Sequence, residues 1–175
     1  DTCALDDDQN LIDEQTFTLQ VVQLVILELQ PHDREQDQGI MVACMENDDK
    51  LLEQHLNLLQ NPNLEDANLN EMTPLCAASL NGSLKCVSLL IEAGANKDQG
   101  RTDNGATPLY MAAEEGHLEV VRFLVESGAN KDQGTTDIGA TPLRIAAKKG
   151  HLEVVQFLVG SGANKDQGRT DNGST

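Results

Sequence analysis

Residues 94–127 read GANKDQGRTDNGATPLYMAAEEGHLEVVRFLVES, and residues 128–161 read GANKDQGTTDIGATPLRIAAKKGHLEVVQFLVGS. The two stretches are offset by 34 residues and differ at eight positions. A fixed period of this size means stacked supersecondary units that share a core with their neighbours, instead of one globular core. Thr107 before Pro108 opens the first helix of the unit. Threonine is a good N-cap, and proline suits a first helical position, where its missing N–H costs nothing. Leu109, Met111, Ala112 and Ala113 then make a short, slim helix that ends at Gly116, and the alanines let a neighbouring helix approach closely. A second helix follows over residues 117–127, with Leu118, Val121 and Leu124 on one face, joined by Val120, Phe123 and Val125. That is too much apolar surface for a single stripe, so adjacent repeats must cover it. Gly128 stops the helix, and the Asn-, Lys-, Asp- and Gly-rich residues 129–139 read as a turn or hairpin.

The same grammar extends upstream. Thr73-Pro74-Leu75 lies 34 residues before Thr107-Pro108-Leu109, Gly82 matches Gly116, and Leu84, Val87 and Leu90 match Leu118, Val121 and Leu124. Further back, residues 40–45 and 50–60 make a degenerate helix pair, with Ala43-Cys44 where the alanines belong and Asn61-Pro62 closing the second helix. A degenerate, more polar first unit is what a cap on such an array looks like. The Thr-Pro-Leu turn, the Ala-Ala pair, Gly-His-Leu-Glu-Val-Val and Gly-Ala-Asn together resemble the ankyrin repeat family over residues 38–175. The resemblance implies an all-α repeat solenoid of helix-turn-helix units joined by β-hairpins or turns. Its divisions are a capping repeat at 37–66, repeats at 67–100, 101–134 and 135–168, and the start of a further repeat at 169–175. Two departures stand out. The family carries a histidine after Thr-Pro-Leu that braces neighbouring hairpins, whereas this chain has Cys76, Tyr110 and Arg144 there. The hairpin is also one residue longer than the common pattern. The near-identity of the copies is similar, more loosely, to the expanded ankyrin families of unicellular algae.

Residues 1–36 have a different character. A run rich in Thr, Val, Ile and Leu over residues 17–29, closed by Pro31, reads as strand. With Leu5-Asp6-Asp7-Asp8 and Leu11 ahead of it, this β-rich segment resembles the C-terminal part of a ubiquitin-like domain, lacking that fold's first hairpin and helix; the alternative is a strand or helical N-cap packed on the first repeat.

Charge and composition exclude several functions. The net charge is −17, and residues 1–100 hold 19 acids against 4 Lys/Arg, which places −15 of it there. Such a chain repels nucleic-acid phosphates and anionic membranes. No run approaches the ~18 apolar residues of a membrane span, so direct membrane insertion is not expected. Aromatics make up only 2% of the residues, so the core must be built from Leu, Val, Ile and Ala. Cys3, Cys44, Cys76 and Cys86 form no C-x-x-C pair and read as thiols of a reducing compartment, the cytoplasm or alternatively a plastid.

No chemistry-bearing constellation emerges. Asp6, Asp8 and Asn10 alternate like the start of a calcium loop, but Leu11 stands where glycine is needed and Phe17 where the bidentate glutamate belongs. His117 and His151 occupy equivalent positions and read as local braces of the turn into the second helix. The expectation is therefore no catalytic residues, no metal and no cofactor: a non-catalytic scaffold or adaptor whose partner is another protein or multiprotein complex. The alternative is a linker subunit of a large assembly, with a plastid as one setting, held by its termini.

The differences between the two copies locate the expected contact surface. They are Arg101/Thr135, Asn104/Ile138, Tyr110/Arg144, Met111/Ile145, Glu114/Lys148, Glu115/Lys149, Arg122/Gln156 and Glu126/Gly160. In ankyrin proteins the hairpin tips and the solvent side of the first helix line the concave binding face. The resemblance therefore implies partner-binding roles for Arg101, Asn104, Glu114, Glu115, Ile138, Lys148 and Lys149, with Ile138 as an exposed apolar anchor. Stacking sets Glu114-Glu115 beside Lys148-Lys149.

Overall fold

A computed structural model describes residues 34–57, 61–63 and 72–166. Among these residues eight helices follow in pairs: α1 (Arg34–Glu46) and α2 (Asp49–Asn57), α3 (Pro74–Leu80) and α4 (Leu84–Glu92), α5 (Pro108–Glu115) and α6 (Leu118–Glu126), α7 (Pro142–Lys149) and α8 (Leu152–Gly160). No strand occurs among the described residues, and the connections that follow α4 and α6 are turns and irregular backbone. The β-rich reading of residues 17–29, the calcium-like Asp6, Asp8 and Asn10, Cys3 and the repeat start at 169–175 all lie outside the described residues.

Local chemistry makes each first helix. The Thr73, Thr107 and Thr141 hydroxyls accept from the backbone N–H of Cys76, Tyr110 and Arg144 at 3.2, 3.1 and 3.3 Å, each with proline at the next position. The second helices end in a recurring double bond: Gly128 N–H donates to Val125 O at 3.0 Å and Ala129 N–H to Leu124 O at 2.9 Å, a Schellman closure. The first pair reaches the same form with other residues. Asn47 takes the left-handed turn position at φ 59°, and Asp48 Oδ1 accepts from Lys50 and Leu51 N–H at 3.1 and 3.0 Å to cap α2. Helix α1 begins at Arg34, inside the segment read as 1–36, because the polar Arg-Glu-Gln-Asp-Gln start favours helix without showing an apolar period.

Packing proceeds in two layers. α5 lies against α3 and α7 in the first-helix layer, while α4 lies against α2 and α6, and α6 against α8, in the second. One continuous core runs from Ile40, Cys44 and Leu52 through Leu75, Val87 and Leu90 to Leu109, Val121 and Leu124, ending at Ala146, Val154 and Leu158. It is aliphatic, as the scarcity of aromatics requires. Leu118, expected on the buried face, is only half-buried, whereas Val120 is buried instead.

Candidate protein-binding face

Contacts between repeats set the surface on which any partner would dock. The histidines, expected to brace their own turns, make no side-chain cap bond there and reach the preceding repeat instead. His117 Nε2 lies 3.0 Å from Leu80 O and His151 Nε2 lies 2.8 Å from Glu114 O, each carbonyl belonging to the preceding repeat. A carbonyl can only accept, so Nε2 carries the proton in both rings. Each ring lies over the glycine that ends the preceding first helix. A Cβ built on Gly116, at φ +79°, would sit 2.5 Å from His151 Nδ1. The residue must be glycine twice over, for its left-handed backbone and for the ring above it.

A second ladder joins the loops. Asn130 N–H donates to Asp98 Oδ1 and Asn164 N–H to Asp132 Oδ1, both at 2.7 Å. At the equivalent place nearer the N-terminus, Asn96 N–H donates to Asn63 Oδ1 at 2.6 Å. Lys97 Nζ reaches Ser127 O at 2.7 Å, where a cation meets the carbonyl end of α6. Between the first two pairs, Asn81 Nδ2 donates to Cys44 O and Met45 O at 3.2 and 3.1 Å, and the Ser83 hydroxyl bonds the Asn47 side chain. Only the recurrence of Asn-Lys-Asp-Gln-Gly hinted at this network in the sequence.

The three residues standing in for the family's bracing histidine behave differently from one another. Cys76 Sγ lies 3.7 Å from both Gln99 O and Ala106 O, so its thiol partly replaces the brace towards the next loop. Burial pushes that thiol up to about 11, with the Thr73 hydroxyl pulling the other way. Burial also raises the Cys44 and Cys86 thiols, and all three cysteines are free. They are packing atoms at neutral pH, not nucleophiles. Tyr110 is half-buried; burial raises its phenol, and the Glu114 and Asp137 charges add to the effect. Arg144 lines a shallow cleft of about 340 Å³ with Thr141, Leu143, Ala147, Asn164 and Lys165.

The seven expected contact residues divide into two groups. Glu115, Lys148 and Lys149 are exposed, and Glu114 is half-buried. Lys149 Nζ pairs with Glu114 Oε1 at 3.2 Å across α5 and α7, so one of the expected charge contacts between these helices forms. The loop residues are more structural. Asn104 Oδ1 accepts from Ala106 N–H at 2.9 Å, and its carbonyl accepts from Thr136 N–H at 2.8 Å. Arg101 pairs with Asp103 and is mostly covered. Ile138 is half-buried and not the exposed tip residue expected, with its N–H held by Asp137 Oδ1 at 2.7 Å. Among the described residues no cluster of three His, Cys, Asp or Glu side chains could hold a metal ion. No described helix is long and apolar enough to cross a membrane.

Paired antiparallel helices, stacked in register and tied by side-chain bonds from one pair to the next, define a helical repeat protein. The sequence profile for ankyrin repeats in three copies matches residues 40–137 and 104–171, and the chain belongs to the ankyrin repeat family. Members of this family are generally protein–protein interaction modules and typically non-catalytic. The match begins at residue 40, and no comparison supports a ubiquitin-like identity for residues 1–36. No curated protein matches the chain.

Proposed function

We propose that this chain is a non-catalytic scaffold or adaptor that binds a partner protein along its first-helix and loop side, using Arg101, Asn104, Glu114, Glu115, Ile138, Lys148 and Lys149. The observation that carries this reading is where the near-identical copies differ. Six of the eight changes fall between residues 101 and 115 of the unit, and among the first-helix changes only Met111/Ile145 is buried in both copies. Most of the changes fall on side chains that a partner could reach, with Met111/Ile145 and the covered Arg101/Thr135 as exceptions. The working division is a cap at 37–66, repeats at 67–100, 101–134 and 135–168, and a further repeat starting at 169. The free, buried thiols fit a reducing compartment, cytoplasm or plastid.

The test replaces Glu114, Glu115, Lys148 and Lys149 together with serine. Capture of the native partner should be lost while the circular dichroism spectrum is retained. Full capture by a folded variant would remove this surface from consideration. Leu152, 65% exposed on the last described helix, favours a second reading: a linker subunit of a larger assembly held by its ends. Limited proteolysis of the native particle separates the two, since end-docked termini resist cleavage and a lateral scaffold leaves them accessible.

A further inference from the structure

The first helices share one row of side chains, and the bonds between repeats fix its register. Met45 O accepts from Asn81 Nδ2 at 3.1 Å, Leu80 O from His117 Nε2 at 3.0 Å, and Glu114 O from His151 Nε2 at 2.8 Å. The residue 34 positions after Glu114 is Lys148. Along the array the row therefore runs Met45, Leu80, Glu114, Lys148, with Glu115 and Lys149 beside the last two. Its character changes step by step. Met45 is 50% exposed and Leu80 half-buried, both apolar, whereas α5 ends on two acids and α7 on two lysines. The Lys149–Glu114 pair at 3.2 Å uses one charge from each helix. Glu115 and Lys148 remain exposed, and among the described residues neither has an ion-pair partner.

The wider charge distribution has the same direction. Residues 37–66 hold seven acids and one lysine; residues 135–168 hold three acids and four Lys/Arg, three of them on α7. A carboxylate approaching this acidic chain is drawn to α7, and a cation is drawn towards the cap. We propose, on the basis of the lateral binding face inferred above, that the row selects its partner by charge order: a segment of another protein with an apolar side chain over Leu80 and Met45, a Lys or Arg opposite Glu115, and an Asp or Glu opposite Lys148. First helices stack about 8–10 Å apart and an extended chain rises about 3.3 Å per residue, so the base stands about three residues from each of the other two. The apolar end defines the order whichever way the segment runs. A segment with the acid in the middle sets carboxylate against Glu115 and cation against Lys148, and such like-charge contacts suppress the wrong partner. Nucleic acid brings no cation for Glu115. A second copy of this chain, antiparallel and face to face, matches Glu115 with Lys148 twice but leaves Leu80 and Met45 with no facing member of the row. The apolar half therefore favours a foreign segment.

The test pans a phage-displayed library of random dodecapeptides on the immobilised full chain at low ionic strength. Enriched peptides should carry Lys or Arg between an apolar residue and Asp or Glu, at a spacing of about three residues. Panning on the double variant Glu115→Lys, Lys148→Glu should return the opposite order, with the acid in the middle. Both side chains are exposed, so the circular dichroism spectrum should not change. A labelled peptide from the first selection should lose about tenfold in affinity on Glu115→Lys, and it should bind more weakly as salt rises. One order on both baits, or no order on the parent, overturns the inference. In that event, peptides that are lost on the variant with serine at 114, 115, 148 and 149 leave the lateral face standing with a different code. Peptides that bind that variant as well as the parent remove the lateral face too. Sedimentation equilibrium tests the other occupant: monomer is expected, and a salt-sensitive dimer abolished by Glu115→Lys would overturn the inference by showing that the row takes a second copy.

Discussion

Helices α5–α6 and α7–α8 carry nearly one sequence and live in two environments. Val120 and Val154 are both 1% exposed, and Leu124 and Leu158 are both fully buried, so the interior of each pair is closed by the pair itself and its upstream neighbour. On the downstream side the copies part. Ala113 is fully buried and Ala147 exposed; Leu118 is half-buried and Leu152 is 65% exposed; Gly116 carries a histidine ring, whereas among the described residues nothing lies within 4 Å of a Cβ built on Gly150. The same residue type therefore has a different role according to what stands next in the array. Burial here belongs to the junction, not to the repeat, which is the structural content of nearest-neighbour energetics in linear arrays.

That comparison can be broken most forcefully in the shared interior. Leu124→Ala and Leu158→Ala should each cost about 2–5 kcal/mol in urea unfolding, and they should agree with one another within about 1 kcal/mol. A large disagreement would mean that the terminal pair is not a self-closed unit. The glycines come next. Gly150→Ala meets only backbone strain, about 1–2 kcal/mol for a left-handed residue with a Cβ. Gly116→Ala meets that strain and also drives His151 from its carbonyl, adding about 1 kcal/mol for the lost hydrogen bond. A double-mutant cycle sharpens the point: His151→Ala should couple to Gly116→Ala by more than about 0.5 kcal/mol and should not couple to Gly150→Ala. Equal costs at the two glycines would show that the ring above Gly116 adds nothing.

How much of this was readable in the sequence follows from the range of each interaction. The helix pairs were legible because Thr107, Pro108 and Gly116 act on backbone within a few residues of themselves, and Val121 and Leu124 keep helical spacing. The start of α1 was missed because Arg34–Gln38 carries no apolar signal. The bonds from His151 to Glu114 and from Asn130 to Asp98 cross 37 and 32 residues, and no local pattern announces a partner that far away. The repeat did contain the clue, since identical residues at a fixed offset must meet the same neighbours, but it does not say whether a ring turns inward or across. Ile138 was misplaced for the opposite reason. An apolar residue in a polar loop looks like a tip, yet the loop closes on itself through Gly139 N–H to Thr135 O at 2.9 Å and leaves Ile138 half-covered. The charged positions Glu115, Lys148 and Lys149 came out exposed because helix period alone places them.

Smaller effects test the outer edge of the same contrast. Leu118→Ala should cost about 1–2 kcal/mol, since it gives up part of a half-buried side chain, whereas Leu152→Ala should stay within about 0.5 kcal/mol of the parent. Equal losses would imply that something covers Leu152 in solution. Weaker still is the pair linking the copies: Lys149→Ala should cost at most about 1 kcal/mol, and the loss should shrink in high salt, because the lysine is exposed and the half-buried Glu114 still meets solvent. A salt-independent loss would point to packing of the lysine stem instead of charge.

The finest difference separates two aspartates at one register. Arg101 gives Asp103 a guanidinium partner, whereas the second copy has Thr135, and its hydroxyl bonds Asp137. That hydroxyl first, and the Ile138 N–H second, hold the Asp137 carboxyl below the ordinary aspartate range although the group is fully exposed. A depressed folded value means that the stabilisation is complete above the unfolded value of about 3.9 and is lost as pH falls through the folded one. Carbon-detected titration of Asp137 should therefore find it low in the parent and low in Thr135→Ser, which keeps the hydroxyl, but raised in Thr135→Val. If Thr135→Val leaves the titration where it was, the backbone N–H alone sets it, and the exchange of arginine for threonine has not changed how this loop holds its charge.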